Sequence, residues 1–540
     1  MVKSLILLCL LSLVYSDNPV KTKGFVRVLT RKGVIQGKVH DGYNTFFGIP
    51  YAKVNEENPF GRILDYPNFN DTFIADDPSV LCPQVYFNDN GVLQCLILNI
   101  YVPHAASTNN LLPILVWFHG GGFAFGSSGE YGGQYLVKHD IIVITVNYRQ
   151  GAYGFLCLDD RNVPGNQGMK DQIEALRWIK RHIANFGGDP SKVTIAGESY
   201  GGGAVDLHLY SNYEMLFDKA IVQSGSIYVT EGIFIKPDYN AAIKLATYLG
   251  YNVTTTVKAL EVLAKANPSD VNAATRNMSM ILTLCKEKKF QGVTNFITDD
   301  PFHLSKPNRI KRTSIMIGYT SQEMLYEFAN KPQSHYDRLG NPFLPQLTKT
   351  FILPKSELLR LSSIVQHFYL GGKTAGPETE LELSNFLSDF AINYGVEWSV
   401  SRYIEQNAKA VYKYMFSYTG GSDYQNVTGS GASHTEELKY LFNWVWANPP
   451  SLPEQVLIRD RMTTMWANFV KFGNPTPLET DLIPLTWTPV SMSARPYLNI
   501  DVNMELRNFA FRHRMAFWEL VWHTYGKKHV LLSDKSPPSL

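Results

Sequence analysis

Residues 194–204 read Thr-Ile-Ala-Gly-Glu-Ser-Tyr-Gly-Gly-Gly-Ala. A short apolar run ends in Gly197-Glu198-Ser199-Tyr200-Gly201. This is the G-x-S-x-G pattern of a sharp strand-to-helix turn that lifts a serine above the edge of a sheet. Glycine at both flanks has a physical reason, because the turn crowds the backbone and a Cβ at either position would clash. The N-terminus of the following helix stabilises negative charge that develops near the serine. The pentapeptide alone is common. Its weight comes from context: strand-forming residues at 192–196, small residues after it, and partners elsewhere in the chain.

Working outward, residues 169–186 have helical periodicity. Ile173, Leu176, Ile179, Ile183 and Phe186 fall on one face, and Gly187-Gly188-Asp189-Pro190 stops the helix. Residues 112–118 and 141–146 are continuous apolar runs, which suit strands covered on both faces of a parallel sheet. Further strands are expected at 96–102, 219–222, 314–318 and 411–418, with a hairpin over 25–38. Helices are expected at 461–472 and 515–525, and the stretch 231–307 reads as helices and loops without a functional pattern. Between two of the strands lies His119-Gly120-Gly121-Gly122-Phe123. Three consecutive glycines suit a loop whose amides approach something closely. With a serine turn downstream, that something is the oxyanion of a tetrahedral intermediate.

The chain has 540 residues, 45% hydrophobic and 13% aromatic, enough for a large core. No linker, charge run or repeat divides it, so residues 17–530 read as one domain and 531–540 as a disordered tail. A net charge of +2, from 50 basic and 48 acidic residues, gives no general attraction to nucleic acid or an anionic membrane. Residues 1–16 resemble a secretory signal: Lys3 starts it, residues 5–14 are apolar, and Ser16 offers a small residue for cleavage. That run is too short to span a bilayer. Secretion makes Asn70, Asn252, Asn277 and Asn426, each in an N-x-S/T sequon, candidate glycan sites. Of five cysteines, Cys9 leaves with the signal, and Cys82 and Cys95 are close enough to bridge a surface loop. Cys157 reads as a buried free thiol. Cys285 has no obvious partner, and its pairing with Cys157 stays open.

A serine hydroxyl needs a base, and the base needs an orienting acid. In the strand-to-helix serine enzymes the chain order is Ser, then Asp or Glu, then His. Glu323 and His434 fit, since each follows an expected strand and the order is right. The chain resembles a type-B carboxylesterase, the family of cholinesterases and insect carboxylesterases, from about residue 25 to 522. The similarity is strongest over 165–203, and 47–52, 95–103, 119–123, 146–156, 318–323 and 431–438 also match. The resemblance implies an α/β-hydrolase fold, with a large, mostly parallel central sheet flanked by helices. It implies Ser199 as nucleophile, Glu323 as acid and His434 as base. It gives Gly121, Gly122 and the Tyr200 amide as oxyanion donors, Ser224 as a supporting serine, and Cys82–Cys95 as the first family disulfide. The expected substrate is a small-molecule carboxylic ester, hydrolysed outside the cell with neither metal nor cofactor; the oligomeric state is not legible.

The chain departs from that family at three points. Tyr200 stands where a small residue is usual. Leu93-Gln94 replaces an acidic pair that would answer Arg62. The second family disulfide finds no matching pair of cysteines. Two other readings compete. A serine carboxypeptidase shares the Gly-Glu-Ser-Tyr turn, but not the His-Gly-Gly-Gly loop or the glutamate acid. A non-catalytic, cholinesterase-like adhesion or ligand-binding protein usually lacks a triad member, and here all three are present. The loop 83–94 carries Tyr86 and Phe87 but no tryptophan, and Asp89 is its one acidic residue. With Phe123, Phe125 and Tyr200 near the serine, the expectation is a neutral, apolar ester rather than a choline ester.

Overall fold

The computed structural model describes residues 20–22, 24–86, 91–229 and 232–532. The signal segment with Cys9, Phe87 and Asp89 of the first loop, and 533–540 of the tail lie outside the described residues. Four strands, β1 (Val20–Thr22), β2 (Phe25–Thr30), β3 (Gly33–Val39) and β4 (Tyr43–Pro50), form an antiparallel flank. The rest of the sheet contains β5 (Ile97–Pro103), β6 (Leu112–Phe118), β7 (Ile142–Val146), β8 (Gly188–Glu198) and β9 (Lys219–Gln223). It ends with β10 (Ser314–Thr320), β11 (Ala410–Phe416), β12 (Pro496–Ile500) and β13 (Glu505–Asn508). Their order across the sheet is β1-β2-β3-β4-β5-β7-β6-β8-β9-β10-β11-β12-β13. From β7 to β12 all neighbours are parallel.

The continuous apolar runs are explained by two cores. Along β6, Ile114, Val116 and Phe118 enter one core, while Leu115 and Trp117 enter the other. The period of two is still present, but both phases are apolar because both faces are covered. Helix α1 (Gln167–His182) and helix α2 (Tyr200–Tyr210) supply Ile173, Leu176, Val205 and Leu207 to the first core. Of the longer helices that follow, α3 (Pro453–Phe472) covers the second core with Ile458, Met462, Met465, Trp466 and Phe469, and α4 (Arg512–Tyr525) returns to the first with Trp518 and Trp522.

Helix α3 starts eight residues earlier than its apolar pattern suggests. Pro453 opens it, and the Gln455 side chain accepts from the Ser451 and Leu452 N–H groups. Helix α1 gives way to a 3-10 turn over Ile183–Phe186, and left-handed Gly187 (φ 82°) ends it as expected. Gly188 already belongs to β8. Cys82 and Cys95 are bonded across 13 residues. Cys157 is not a free thiol: it is bonded to Cys285, 128 residues away. The apolar run around Cys157 signalled burial, and burial alone does not separate a thiol from half of a disulfide. The Asn70, Asn252, Asn277 and Asn426 side chains all stand on exposed residues. No helix of the described residues is long and apolar enough to cross a membrane.

Candidate active site

Ser199 sits between β8 and α2 with φ 56° and ψ −127°, a conformation that non-glycine residues adopt only under constraint. The constraint is visible. Its N–H donates to the Gln223 carbonyl of β9 at 2.9 Å. A Cβ on Gly197 would come 2.5 Å from Gly201 and 2.7 Å from the Phe118 carbonyl, and one on Gly201 would overlap that same carbonyl. The flanking glycines therefore let the turn press against the end of β6. The glycine loop leaves that end and closes over the serine, so that a Cβ on Gly120 would lie 3.1 Å from the Ser199 Cβ.

Gly121 (φ 99°) and Gly122 (φ 68°) are both left-handed. The Gly121 carbonyl accepts from the Ala124 and Phe125 amides, so the loop folds into a tight turn, while Gly122 faces open space. The turn is anchored from behind. Tyr148 Oη donates to the His119 carbonyl at 2.6 Å, and the Phe123 carbonyl accepts from Gly151 at 2.7 Å. Burial pushes the His119 imidazole down to about 4, so this ring is neutral and pairs through Nδ1 with the Gly120 carbonyl.

Glu323 follows β10 and His434 lies on the loop after β11. Parallel neighbours bring these two strand ends together, and their loops interlock. The Gln322 N–H donates to the Ala432 carbonyl, the Ala432 N–H to Ser321 Oγ, and the His434 N–H to the Glu323 carbonyl. His434 Nδ1 then lies 2.6 Å from Glu323 Oε2, whose other oxygen accepts from the Thr320 N–H at 2.7 Å. Glu323 is fully buried.

Two further carboxyls crowd this imidazole. Glu198 Oε1 approaches His434 Nε2 to 3.1 Å without the alignment of a hydrogen bond. Glu437 accepts from Gln223 Nε2 at 3.1 Å, and Gln223 Oε1 accepts from Trp466 Nε1 at 2.9 Å. Burial pushes Glu198 up to about 8, with Glu437 and Glu323 adding to the rise against the pull of His434. Burial, then Glu323, pushes Glu437 up to about 7. For His434, burial acts downward, and Glu198 followed by Glu323 outweighs it and raises the ring to about 10. Glu198 and Glu437 therefore hold protons more readily than free carboxyls, and they titrate together with the imidazole.

Ser199 and His434 line one cavity of about 380 Å3, together with Gly121, Gly122, Tyr200 and Ser224. Ser224 is itself left-handed (φ 46°), and its buried Oγ has no hydrogen-bond partner among the described residues. It therefore belongs to the cavity surface. Phe125 also lines the cavity, whereas Phe123 is fully buried behind it, edge-on to Tyr200 at 5.2 Å and stacked on Phe155. The expected lining named Phe123, Phe125 and Tyr200, and the structure adds two tryptophans from outside the loop 83–94. Trp444 and Trp446 form part of the wall. A two-residue strand, Asn443–Trp444, pairs antiparallel with Tyr131–Gly132, and Trp446 Nε1 donates to Glu130 Oε2 at 2.9 Å. Sequence reading overlooked Glu198, although it lies inside the serine motif, and Glu437, three residues past His434. It had no local signal for Glu130, Trp444 or Trp446. Among the described residues no group of three or more His, Cys, Asp or Glu is arranged to hold a metal ion.

Residues 25–518 match the family model described as the carboxylesterase family. The chain belongs to the carboxylesterase family. It is accordingly a carboxylic ester hydrolase with the α/β-hydrolase fold. Among relatives of this carboxylesterase, the juvenile hormone esterase of Tribolium castaneum is 29% identical, covering 91% of this chain and 93% of that protein. The juvenile hormone esterase of Heliothis virescens is 31% identical over 82% and 85% of the two chains. Carboxylesterase 5A of Homo sapiens is 29% identical over 91% and 88%.

Proposed function

We propose that this carboxylesterase is a secreted serine hydrolase that cleaves neutral, apolar esters through an acyl-enzyme. Ser199 Oγ attacks the ester carbonyl carbon as its proton passes to His434 Nε2. The amides of Gly121, Gly122 and Tyr200 hold the oxyanion. Collapse expels the alcohol, which takes the proton from Nε2. Water then attacks the acyl-Ser199 ester, with His434 again as base, and the acid leaves. In the deprotonated ring Glu323 fixes the tautomer, with the proton on Nδ1 and Nε2 as the acceptor. The observation that carries this reading is the 2.6 Å Glu323–His434 contact at the same cavity as a serine in a strained turn. An organophosphate should leave a mass adduct on Ser199 in the wild type and none in Ser199→Ala. Secretion rests on residues 1–16 and is tested by sequencing the N-terminus of protein from culture medium, which should begin at Asp17.

The neutral, apolar character of the substrate is supported by Val229, Met324, Ala391, Ile392 and Leu438 in the cavity wall. Each methylene buried there contributes roughly 0.8 kcal/mol. One observation favours a second reading, a cationic alcohol. The wall holds Trp444, Trp446, Glu130 and Glu198, and neither lysine nor arginine. Against it, burial pushes the Glu130 carboxyl up toward its neutral form, and the Trp446 N–H is turned onto Glu130. The ratio of kcat/KM for a neutral alkyl thioacetate to that for acetylthiocholine decides between them. A ratio above one supports the neutral ester, and a ratio below one the cation.

A further inference from the structure

A second cleft, sharing no residue with the catalytic cavity, runs along one face of α1 and has a volume of about 530 Å3. Gln167, Lys170, Glu174 and Arg177 line it at helical spacing, opposite the stretch that carries Arg62. Most of its charges are already answered. Arg149 is held by Asp171 at 2.7 and 2.8 Å and by the Pro59 and Gly61 carbonyls. Lys170 is held by Glu287, and Arg177 by Glu214 and Glu174.

Two guanidiniums are left over. Arg62 has no carboxylate within ion-pair distance among the described residues, and Gln94 hydrogen-bonds Val54 and Glu56. Arg161 reaches only the Gln291 carbonyl, at 3.4 Å. Asp65 is the one lining carboxylate without a cation within pairing distance among the described residues, so the unpaired groups carry a net positive charge. Gln167 is 4% exposed and lines the cleft beside them.

We propose that this cleft is a second binding site, taking a small polyvalent oxyanion of the phosphate class between Arg62 and Arg161, with the Gln167 carboxamide as a further donor. Guanidinium forks match such oxygens in geometry and stay charged at any physiological pH. The cleft is open to solvent, with Arg62 and Arg161 both exposed, and its volume of about 530 Å3 suits a small molecule.

The test is isothermal titration of the full chain with sodium pyrophosphate at low ionic strength, against sodium chloride at matched ionic strength. Saturable one-site binding is expected for pyrophosphate alone. Arg62→Gln and Arg161→Gln should each weaken it by about tenfold or more, the loss of one charge-assisted contact. Turnover of p-nitrophenyl acetate should be unchanged in both variants, which establishes that they are folded and tests the catalytic reading separately. Heat no different from chloride, or wild-type affinity in both variants, overturns the proposal.

Discussion

Ser199 and Trp446 face the same cavity, but they reach it by different routes. Ser199 is placed by a five-residue turn whose flanking glycines, Gly197 and Gly201, let it press on the end of β6. Trp446 is placed by a contact with Glu130 across 316 residues of chain, and by a strand pair of two residues. The first kind of geometry is a property of local backbone, and substitutions cannot vary it much without losing the turn. The second is a property of loop length and long-range packing, and it can vary while the chemistry stays. In this cavity the serine and the two tryptophans are therefore placed by two different means.

Removing the centre of the local wall should have the largest effect. Ser199→Ala is expected to lower kcat for p-nitrophenyl acetate on the order of a millionfold, with the thermal midpoint unchanged. Turnover comparable to wild type would place the nucleophile elsewhere. Next comes Gly121→Ala. The added methyl would overlap the Phe125 carbonyl at a φ of 99°, so the turn must open and its amide swing away from the oxyanion. Loss of one such donor typically costs about a hundred- to a thousandfold in kcat. Gly122→Ala meets open space at φ 68° and should cost less. Equal losses would show that the loop acts through flexibility rather than through a fixed donor position.

These contrasts also explain what the sequence made legible. The strands were readable because β6, β7, β9 and β10 are apolar on both faces. Glu323 and His434 were readable because each follows a strand, and parallel neighbours bring strand ends together whatever the chain between them does. The 128-residue Cys157–Cys285 bond was not readable, since spacing carries no information at that range. The start of α3 was missed because Pro453 and Gln455 form a cap outside the apolar pattern. Trp444 and Trp446 were missed because nothing local ties a loop past His434 to the end of the glycine loop.

Glu198 lies in the local motif but acts on the long-range partner His434. Its carboxylate is the first of the groups that raise the imidazole. The base works only when deprotonated, so activity rises as pH climbs through the His434 pKa. Glu198→Gln removes a negative charge beside Nε2, which lowers that pKa, and the acid limb of the kcat/KM profile should move to lower pH. The readout is the position of the limb and not the height of the plateau. A limb that stays in place, or moves to higher pH, would mean that Glu198 is neutral throughout and that Glu323 alone sets the base.

Tyr200 divides the comparison within one residue and carries the smallest expected effect. Its amide belongs to the turn, and its side chain belongs to the wall. The amide is present whatever the side chain, so Tyr200→Ala leaves all three of the amides proposed for the oxyanion in place. The phenol ring is edge-on to Phe123 at 5.2 Å, and Phe123 lies stacked on Phe155 under the glycine loop. An aromatic pair of this kind contributes about 0.5–1.5 kcal/mol beyond its buried area, a loss that should appear as a lower thermal midpoint. For a small acetate ester, kcat should stay within about tenfold of wild type, well short of the hundredfold or more of a lost donor. Removing the ring also enlarges the cavity beside the nucleophile. The ratio of kcat/KM for a bulky acyl ester to that for acetate should therefore rise. If the acetate rate instead falls a thousandfold in a folded protein, the phenol takes part in the chemistry, and the separation of turn from wall fails at the residue where the two meet.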